Sequence, residues 1–356
     1  MFREELNAVF KEKMIEAVLV SDGYNMRYLS GFRGATGYLY ITSKRRVLLT
    51  DSRYTTQAKE EAPDFEVLEI SNQKGYGAFI NELTGTDGIH VIGFENYHMI
   101  YADIMELREA CSDELVWEGI GDSLNRLRIV KNERELSYME QAQSIADGAF
   151  SHIIEILKPG MTELQVAAEL EFYMKSHGAN GTSFDTIAAS GIHSAMPHAM
   201  PSAKALEPGD FLTMDFGCMY EGYCSDMTRT VVIGKASAKQ KEIYHIVLEA
   251  QLAALDVIKA GMRGCDVDKV ARDVIEKAGY GAYFGHGLGH SVGLYIHEEP
   301  RLSPKCGEVL KENVIQTVEP GIYIPEFGGV RIEDIVIVKE NGCQNMTHST
   351  KELLEL

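Results

Sequence analysis

Short apolar runs alternate with amphipathic stretches over the first 120 residues. Runs rich in β-branched and aromatic residues predict strands at AVLVSD, GYLYIT, RVLLTD, FEVLEI, HVIGFE and ELVWEG. Helices are predicted between some of them, at TTQAKEEA, YGAFINEL and HMIYADIMELREAC. The SKRR tetrapeptide between two of the strands is typical of a hairpin turn, so the sheet is expected to be mixed. The pattern as a whole indicates an α/β domain.

The pattern changes near Asp122, where a basic cluster precedes a long helical stretch. The members of the cluster are Arg126, Arg128, Lys131 and Arg134. We interpret it as a solvated connector that leads into a helix. The apolar face of that helix carries Ile145, Ala149, Ile153, Ile156 and Leu157. Because 356 residues exceed a typical single core, we predict two domains, residues 1–125 and 126–356.

A faint internal repeat occupies the second half of the chain. EILKPGMTELQV (155–166) aligns with DVIKAGMRGCDV (256–267) at an offset of 101 residues. Later, LTMDFG (212–217) resembles QTVEPG (316–321), with Thr, an acidic residue and Gly at the same spacing. Two matches in the same order indicate a duplicated helix–helix–strand unit that folds as two related halves.

Acidic residues within apolar runs are the most informative feature of this region. FLTMDFG places Asp215 in a predicted strand, and YCSDMTRTVVIG places Asp226 in the next strand, with CMYEG as the turn. VIQTVEPGIYI places Glu319 in a strand, and GGVRIEDIVIVK places Glu333 in another. A carboxylate among apolar neighbours is costly to bury unless it is paired, protonated or bound to a metal. We expect these four carboxylates to converge, which requires roughly two divalent cations to neutralise them.

Histidines among glycines supply a candidate fifth ligand. HGLGHSVGLYIHEEP contains His286, His290 and His297, and its glycines would let the backbone approach a site closely. His198 lies in MPHAMPS, 17 residues before Asp215. One imidazole among four carboxylates suits manganese, cobalt or zinc. A flexible loop and an anion-binding nest are the alternative interpretations of the glycine-rich segment.

The composition of the chain bears on which classes of molecule it binds and on the cellular compartment in which it is expected. The chain has 34 Lys and Arg against 53 Asp and Glu, a formal net charge of −19, which disfavours nucleic acid as a partner. No run approaches the ~20 apolar residues of a membrane span, and the charged N-terminal segment differs from a signal peptide. The six cysteines form no close CxxC pair and are interpreted as reduced. We therefore expect a cytoplasmic protein.

The order of these motifs resembles one known family. The set PHA, LTMDFGCMYEGYCSDMTRT, HGLGHSVGLYIHEEP and VEPGIYIPEFGGVRIED is similar to the pita-bread (M24-type) metallopeptidases, specifically their Xaa-Pro branch of aminopeptidase P and prolidase. LSGFRGATGYLYI and LLTDSRYTTQA resemble the creatinase-type N-terminal domain of that branch. The resemblance implies an α/β creatinase-like domain over residues 1–125. An α+β pita-bread catalytic domain with an internal pseudo-twofold repeat would follow over residues 126–356.

The resemblance also implies a ligand set for two divalent metal ions. Asp215, Asp226 and Glu333 would hold one ion, and Asp226, His290, Glu319 and Glu333 would hold the other. Asp226 and Glu333 would bridge the two. Manganese is favoured, with cobalt and zinc as alternatives.

Further residues receive catalytic roles from the same resemblance. His198 and His297 align with histidines that contact substrate or stabilise the oxyanion, and His286 aligns with a third histidine of the pocket. Glu319 could move a proton to the leaving nitrogen. Arg331 precedes Glu333 by two residues, hence lies on the same strand face, where it could orient that carboxylate.

The implied activity is hydrolysis of Xaa-Pro peptide bonds by a metal-bridging hydroxide. A dipeptidase (prolidase) is favoured, with aminopeptidase P acting on longer peptides as the alternative, and both would take proline-containing peptides. Methionine aminopeptidase and creatinase-type amidinohydrolases fit less well, because of the large N-terminal domain and the intact ligand set. A non-catalytic pita-bread binding module is the remaining alternative. The branch commonly forms homodimers, which the resemblance extends to this chain.

Overall fold

The computed structural model describes residues 2–356, and the chain divides into two compact units. The units are Met1–Arg128 and Ile129–Leu356. The domain boundary predicted at residues 125/126 falls at the 3-10 turn Asn125–Arg128, immediately before this division. Among the described residues, no helix is both long and apolar enough to cross a membrane.

The first unit is built on a mixed sheet with the strand order β4-β3-β2-β1-β5-β6. Its strands are β1 Ala17–Val20, β2 Tyr38–Thr42, β3 Arg46–Thr50, β4 Glu66–Glu69, β5 Val91–Phe94 and β6 Val116–Gly119. The β1–β2 and β2–β3 pairs are antiparallel, whereas β3–β4, β1–β5 and β5–β6 are parallel. The predicted strands, the hairpin and the mixed sheet are therefore confirmed.

Helices cover both faces of this sheet. They are α1 Phe2–Lys13, α2 Gly23–Ser30, α3 Thr55–Glu61, α4 Tyr76–Asp87 and α5 Tyr101–Glu109. Successive strand residues enter opposite core clusters: Val18 packs in one and Leu19 in the other, as strand periodicity requires. The sequence predictions missed α1 and α2. The signals for α2 were present, since Asp22 caps its first turn and Gly31, at φ 84°, ends it.

The second unit contains two related helix pairs. The first pair is α6 Glu133–Ile156 and α7 Glu163–Ser176, and the second is α8 Ala238–Val257 and α9 Gly264–Lys277. Helix α9 begins and ends 101 residues after α7, which is the offset of the sequence repeat. Within each half the two helices pack against each other. The predicted duplication is therefore present in the fold.

Strands of the second unit complete both halves. They are β7 Gly181–Thr182, β8 Ile187–Ser190, β9 Phe211–Phe216, β10 Cys218–Tyr220, β11 Tyr223–Cys224, β12 Met227–Val232, β13 Gly289–Ser291, β14 Glu298–Leu302, β15 Ile315–Val318, β16 Gly321–Ile324, β17 Gly328–Arg331, β18 Asp334–Lys339 and β19 Gly342–Asn345. In the first half β8, β9 and β12 form an antiparallel sheet. In the second half β15, β18 and β19 do so, and β13 packs against β15.

The structure corrects the placement of three of the four acidic residues. Asp215 lies within β9, but Asp226 precedes β12, Glu319 follows β15, and Glu333 lies between β17 and β18. The backbone N–H groups of Glu319 and Glu333 do not bond to the strands that pair with their neighbours. Glu319 N donates to Leu288 O at 2.8 Å, and Glu333 N donates to Thr228 O at 3.1 Å. These carboxylates thus occupy the points where the chain leaves one sheet for another.

The segment predicted to be a turn, CMYEG, is also more ordered than expected. Its first three residues form β10, and only Glu221 and Gly222 turn, both with positive φ. Strand β10 then pairs antiparallel with β11 in the register Met219↔Cys224. A reversal of only two residues therefore leads the chain back toward Asp226.

The basic cluster is not a solvated connector throughout. Arg128 and Lys131 are only 4% and 2% exposed, whereas Arg126 forms an exposed pair with Asp122. Lys131 Nζ lies 2.8 Å from Glu298 Oε2, and both side chains are buried. The charge of Lys131 can be buried because the carboxylate of Glu298 pairs with it. The two residues are 167 positions apart in sequence.

Candidate metal centre

Asp226, His290 and Glu333 form a buried group of candidate metal ligands. One donor atom from each lies within 4.8 Å of the others. The imidazole Nε2 of His290 is 3.6 Å from Asp226 Oδ2 and 3.4 Å from Glu319 Oε1. Four of the five ligands suggested by the sequence are thus joined by short distances, although they come from separate segments of both halves.

Asp215, the fifth suggested ligand, lies in the same cavity and bonds to Arg331. Arg331 Nη2 donates to Asp215 Oδ2 at 2.6 Å. Arg331 reaches Glu333 only through Thr228: its Nε donates to Thr228 Oγ1 at 3.0 Å, and this hydroxyl donates to Glu333 Oε2 at 2.7 Å. The expectation that Arg331 orients Glu333 by sharing its strand face is therefore corrected, because β17 ends at Arg331.

The electrostatics of the site favour a bound cation. Burial and the charges of Asp215 and Glu319 raise the pKa of Asp226 well above its ordinary range. Burial and the adjacent Asp226 likewise raise the pKa of Glu333, and burial raises that of Glu319 to about 7. Divalent cations would stabilise the ionised carboxylates that burial and mutual repulsion disfavour.

Two further observations test whether these residues fit such ions. Oδ1 of Asp215 and Oε1 of Glu333 are buried and have no hydrogen-bond partner among the described residues. Burial lowers the pKa of His290 to about 3, and its Nδ1 lies 3.1 Å from Ser291 O, so the neutral ring presents Nε2 to the carboxylates. Unpartnered carboxylate oxygens beside a neutral imidazole fit a divalent metal of the hard-to-borderline class.

Two threonines contact the candidate ligands, and the sequence predictions did not include them. Thr228 donates to Glu333, as described above, and Thr317 Oγ1 donates to Glu319 Oε1 at 3.0 Å. The Thr317 hydroxyl also accepts from His290 N at 3.0 Å. In sequence each threonine is two residues from a candidate ligand, in D-M-T and T-V-E. This alternate spacing was the available signal, because residues two apart in extended chain share a face.

The other three histidines suggested by the sequence, His198, His286 and His297, line a cavity of about 550 Å³ that also contains the candidate ligands. His286 Nε2 is 3.0 Å from the hydroxyl of Tyr323, which accepts from Arg331 Nη1 at 2.8 Å. Burial lowers the pKa of His286 to about 4 and also lowers that of His297. His198 is exposed to the cavity. The sequence predictions missed Tyr323, whose strand GIYI resembles any other buried strand.

The rest of the cavity wall combines apolar side chains with one further guanidinium. The apolar lining includes Phe184, Ile187, Pro197, Met200 and Ile296. Arg301 also lines the cavity, 3.3 Å from the exposed carboxylate of Glu299. The cavity therefore offers an apolar surface, a carboxylate-rich floor and a cation to a ligand.

A buried carboxylate and histidine centre supplied by both halves of a duplicated fold defines a pita-bread metallopeptidase. The chain belongs to metallopeptidase family M24, whose model matches residues 137–340. The creatinase/prolidase N-terminal domain matches residues 3–130. The predicted family and fold class are confirmed.

Relatives match along nearly the whole chain. The Xaa-Pro dipeptidase of Pyrococcus horikoshii is 41% identical, over 96% of this chain and 95% of its own length. The solved structure of an Xaa-Pro dipeptidase from Bacillus anthracis is 42% identical, with a TM-score of 0.96 and 99% of each chain covered. An X-Pro aminopeptidase from Thermotoga maritima is 40% identical, with a TM-score of 0.91 and 98% and 100% covered.

Proposed function

We propose that this chain hydrolyses Xaa-Pro peptide bonds, with a preference for dipeptides, using two divalent cations. The observation that carries the proposal is the buried group of Asp226, His290 and Glu333 at the floor of an open cavity. The names of the similar dipeptidase and aminopeptidase proteins support proline-containing peptides as the substrate class. Catalysis is assigned to the second domain, predicted as residues 126–356.

The ligand assignment follows the resemblance and agrees with the contacts. Asp215, Asp226 and Glu333 would hold one cation, and Asp226, His290, Glu319 and Glu333 the other. When bound, two such ions would lower the pKa of a water toward neutrality and polarise the scissile carbonyl. Manganese is favoured, with cobalt or zinc as alternatives, because the donor set combines carboxylate oxygens with one imidazole.

The protein groups around this centre would orient the substrate and move protons. Glu319, whose Oε1 accepts from Thr317, would carry a proton on its other oxygen to the leaving nitrogen. His198 and His297 would donate N–H groups to the developing oxyanion, and one such donor contributes about 3–4 kcal/mol at comparable sites. His286 would act with Tyr323 and Arg331, to which it is joined by hydrogen bonds. Proline has no N–H, so its ring would be recognised by shape against the apolar wall.

The position of Arg301 supports the proposed preference for dipeptides over longer peptides. Of the two guanidinium groups that line the cavity, Arg331 is committed to Asp215 and Tyr323. Arg301 contacts only the exposed carboxylate of Glu299, at 3.3 Å, and the backbone carbonyl of His297, at 3.4 Å, so it could also pair with the free carboxylate that ends a dipeptide. In a longer peptide this carboxylate is replaced by a neutral amide. Aminopeptidase P activity on longer peptides remains the second candidate, supported by the similarity to the Thermotoga maritima enzyme.

Substrate comparison on metal-loaded protein tests the proposal. Protein stripped with EDTA is reloaded with manganese, cobalt or zinc and incubated with Ala-Pro, Ala-Pro-Ala and the control Ala-Ala. We expect rapid release of proline from Ala-Pro only. Cleavage of the tripeptide alone would replace the dipeptidase assignment by aminopeptidase P. Absence of bindable metal would instead favour a non-catalytic pita-bread module.

Location and assembly complete the proposal. The described cysteines are free thiols, including the buried Cys111, Cys218 and Cys224, which supports the reducing cytoplasm. A homodimer is proposed from the family resemblance. Light scattering of the purified chain tests it, and a mass near the 39.6 kDa of one chain would refute it.

A further inference from the structure

One loop carries His198 into the cavity, and a single buried side chain contacts both of its ends. The His198 loop comprises residues 190–202 and begins at the last residue of β8. Its residues Pro197, His198 and Met200 line the cavity. The carboxylate that contacts both ends belongs to Glu163, the first residue of α7, which is fully buried.

The contacts of Glu163 divide between the two ends of the loop. Oε1 accepts from Ser190 N at 2.7 Å and from Ser190 Oγ at 2.8 Å. Oε2 accepts from Ser202 N at 3.1 Å and from Ser202 Oγ at 2.6 Å. The Nδ1 of His193, inside the loop, lies 3.1 and 3.2 Å from the two oxygens. Each oxygen of one carboxylate therefore fixes one end of the loop.

This arrangement sets the loop relative to a rigid helix. Hydrogen bonds to an ionised acceptor are roughly twice as strong as neutral ones, and a buried carboxylate that loses its donors is costly. The Thr162 capping box fixes the start of α7. Away from its ends the loop is also contacted at Ser194 Oγ by Gly329 N, at 2.8 Å. His198 is exposed, so the backbone that carries it sets which positions in the cavity its imidazole can reach.

The second half repeats the principle with different residues. Asp268 on α9 accepts from Leu288 N at 3.0 Å and from Arg272 Nε and Nη2 at 2.8 and 2.9 Å. Arg272 in turn donates to Phe284 O at 3.0 Å and to His286 O at 2.7 Å. In both halves, an acidic residue on the second helix thus sets the backbone that carries a cavity histidine.

We propose that Glu163 and Asp268 are positioning residues for hydrolysis, Glu163 through His198 and Asp268 through His286. The inference rests on the proposed function, because it assigns these histidines to the reaction. Neither carboxylate lines the cavity, so neither touches the substrate. Their effect on the rate would arise from the placement of the imidazoles, because small displacements of catalytic groups are costly.

Double-mutant cycles separate positioning from general destabilisation. Glu163→Gln keeps the shape of the side chain but turns an NH₂ group toward the donors at one end of the loop. We expect it to lower kcat for Ala-Pro by about 10- to 100-fold. In the His198→Ala background the same change should lower kcat by less than about 3-fold, since coupled residues are non-additive. In the His286→Ala background the full loss should remain.

Asp268→Asn should show the reverse pattern, coupled to His286 and independent of His198. Glu95→Gln is the matched control in the first unit: Glu95 is also buried and accepts from Ser21 N, Asp22 N and Asn25 Nδ2 at 2.6–2.8 Å. It should lower thermal stability without changing kcat. Equal losses from Glu163→Gln with and without His198 would overturn the proposal, as would an unchanged kcat.

Hydrogen exchange gives a readout independent of activity. Amides of residues 190–202 should exchange faster in Glu163→Gln than in the wild type, and Glu95→Gln should leave them unchanged. If the wild type cleaves no Xaa-Pro peptide, the proposed function fails while exchange still tests the loop contacts. If Glu163→Gln does not fold, Ser202→Ala removes the side-chain bond to Oε2 at 2.6 Å, together with the acceptor of Lys204 N at 3.1 Å. That variant should give a smaller kcat loss with the same dependence on His198, and additivity there would refute the proposal.

Discussion

Arg331 and Asp215 join the two halves of the catalytic unit through a 2.6 Å hydrogen bond between oppositely charged groups. Asp215 belongs to β9 of the first half, and Arg331 ends β17 of the second. The bond occupies Oδ2 of Asp215 and leaves Oδ1 without a partner in the described structure. Under the proposed ligand assignment, Oδ1 is therefore the oxygen of Asp215 that would face a metal ion.

Arg331→Lys should reduce activity although it conserves the charge. A lysine ammonium cannot reproduce the planar fork that contacts Asp215, Thr228 and Tyr323 together. Loss of such a partner typically costs about 10- to 100-fold in activity or metal affinity. Steady-state kinetics and the metal content of the purified variant measure the effect. Arg263→Lys, in an exposed pair, is the control, and wild-type kinetics in Arg331→Lys would contradict the assignment.

Asp226→Ala should abolish both metal binding and hydrolysis. The proposed role of Asp226 is to bridge the two cations, so its removal takes a ligand from each. Metal stoichiometry by mass spectrometry, measured beside Ala-Pro hydrolysis, checks this expectation. The exposed Asp273→Ala serves as the control. Two metals per chain in Asp226→Ala would exclude the bridging assignment.

Lys131→Met should destabilise the fold strongly. Lys131 and Glu298 are 1% and 4% exposed in their side chains, so removing the lysine leaves a carboxylate buried beside fewer donors. Breaking a buried pair costs about 3–5 kcal/mol in the free energy of unfolding. Urea denaturation provides the comparison with Lys269→Met, whose solvent-exposed pair with Asp273 should contribute little to stability. Similar losses in the two variants would count against the buried-pair interpretation.

The contribution of Glu163 to stability should depend on pH. Burial opposes its ionisation, but hydrogen bonds from Ser202 and Ser190 outweigh burial and lower the pKa of Glu163 below 4.5. A folded pKa below the unfolded one stabilises the protein above pH 4.5, and this contribution is lost as the pH falls through the folded pKa.

The stability difference between wild type and Glu163→Gln should therefore be constant near neutrality and shrink below about pH 4.5. Denaturant unfolding between pH 7 and 4 measures it. The comparison is repeated with His193→Ala in both proteins, because that imidazole lies 3.1 Å from Glu163. A difference that grows on acidification would reverse the assigned sign.

The strands of the first unit and the family motifs could be predicted from the sequence, because both depend on residues that are close together along the chain. The contact between Lys131 and Glu298 could not be predicted from the sequence, since it depends on how two distant segments of the chain pack together. The same holds for Glu163, which reads as an ordinary first-turn acid of α7 and gains its role only through Ser190 and Ser202. The sequence placed Arg331 beside Glu333, whereas the structure bonds it directly to Asp215, because β17 ends at Arg331.

The 101-residue offset between α7 and α9 also allows the two halves to be compared position by position. Neither half alone carries the full set of candidate ligands, so a single half would need a second copy of itself to form such a centre. At the position equivalent to Glu163 the second copy has Gly264, and Asp268 performs the corresponding contact one helical turn later. The two halves thus hold the backbone of a cavity histidine with two different acidic residues, at positions that are not equivalent in the repeat.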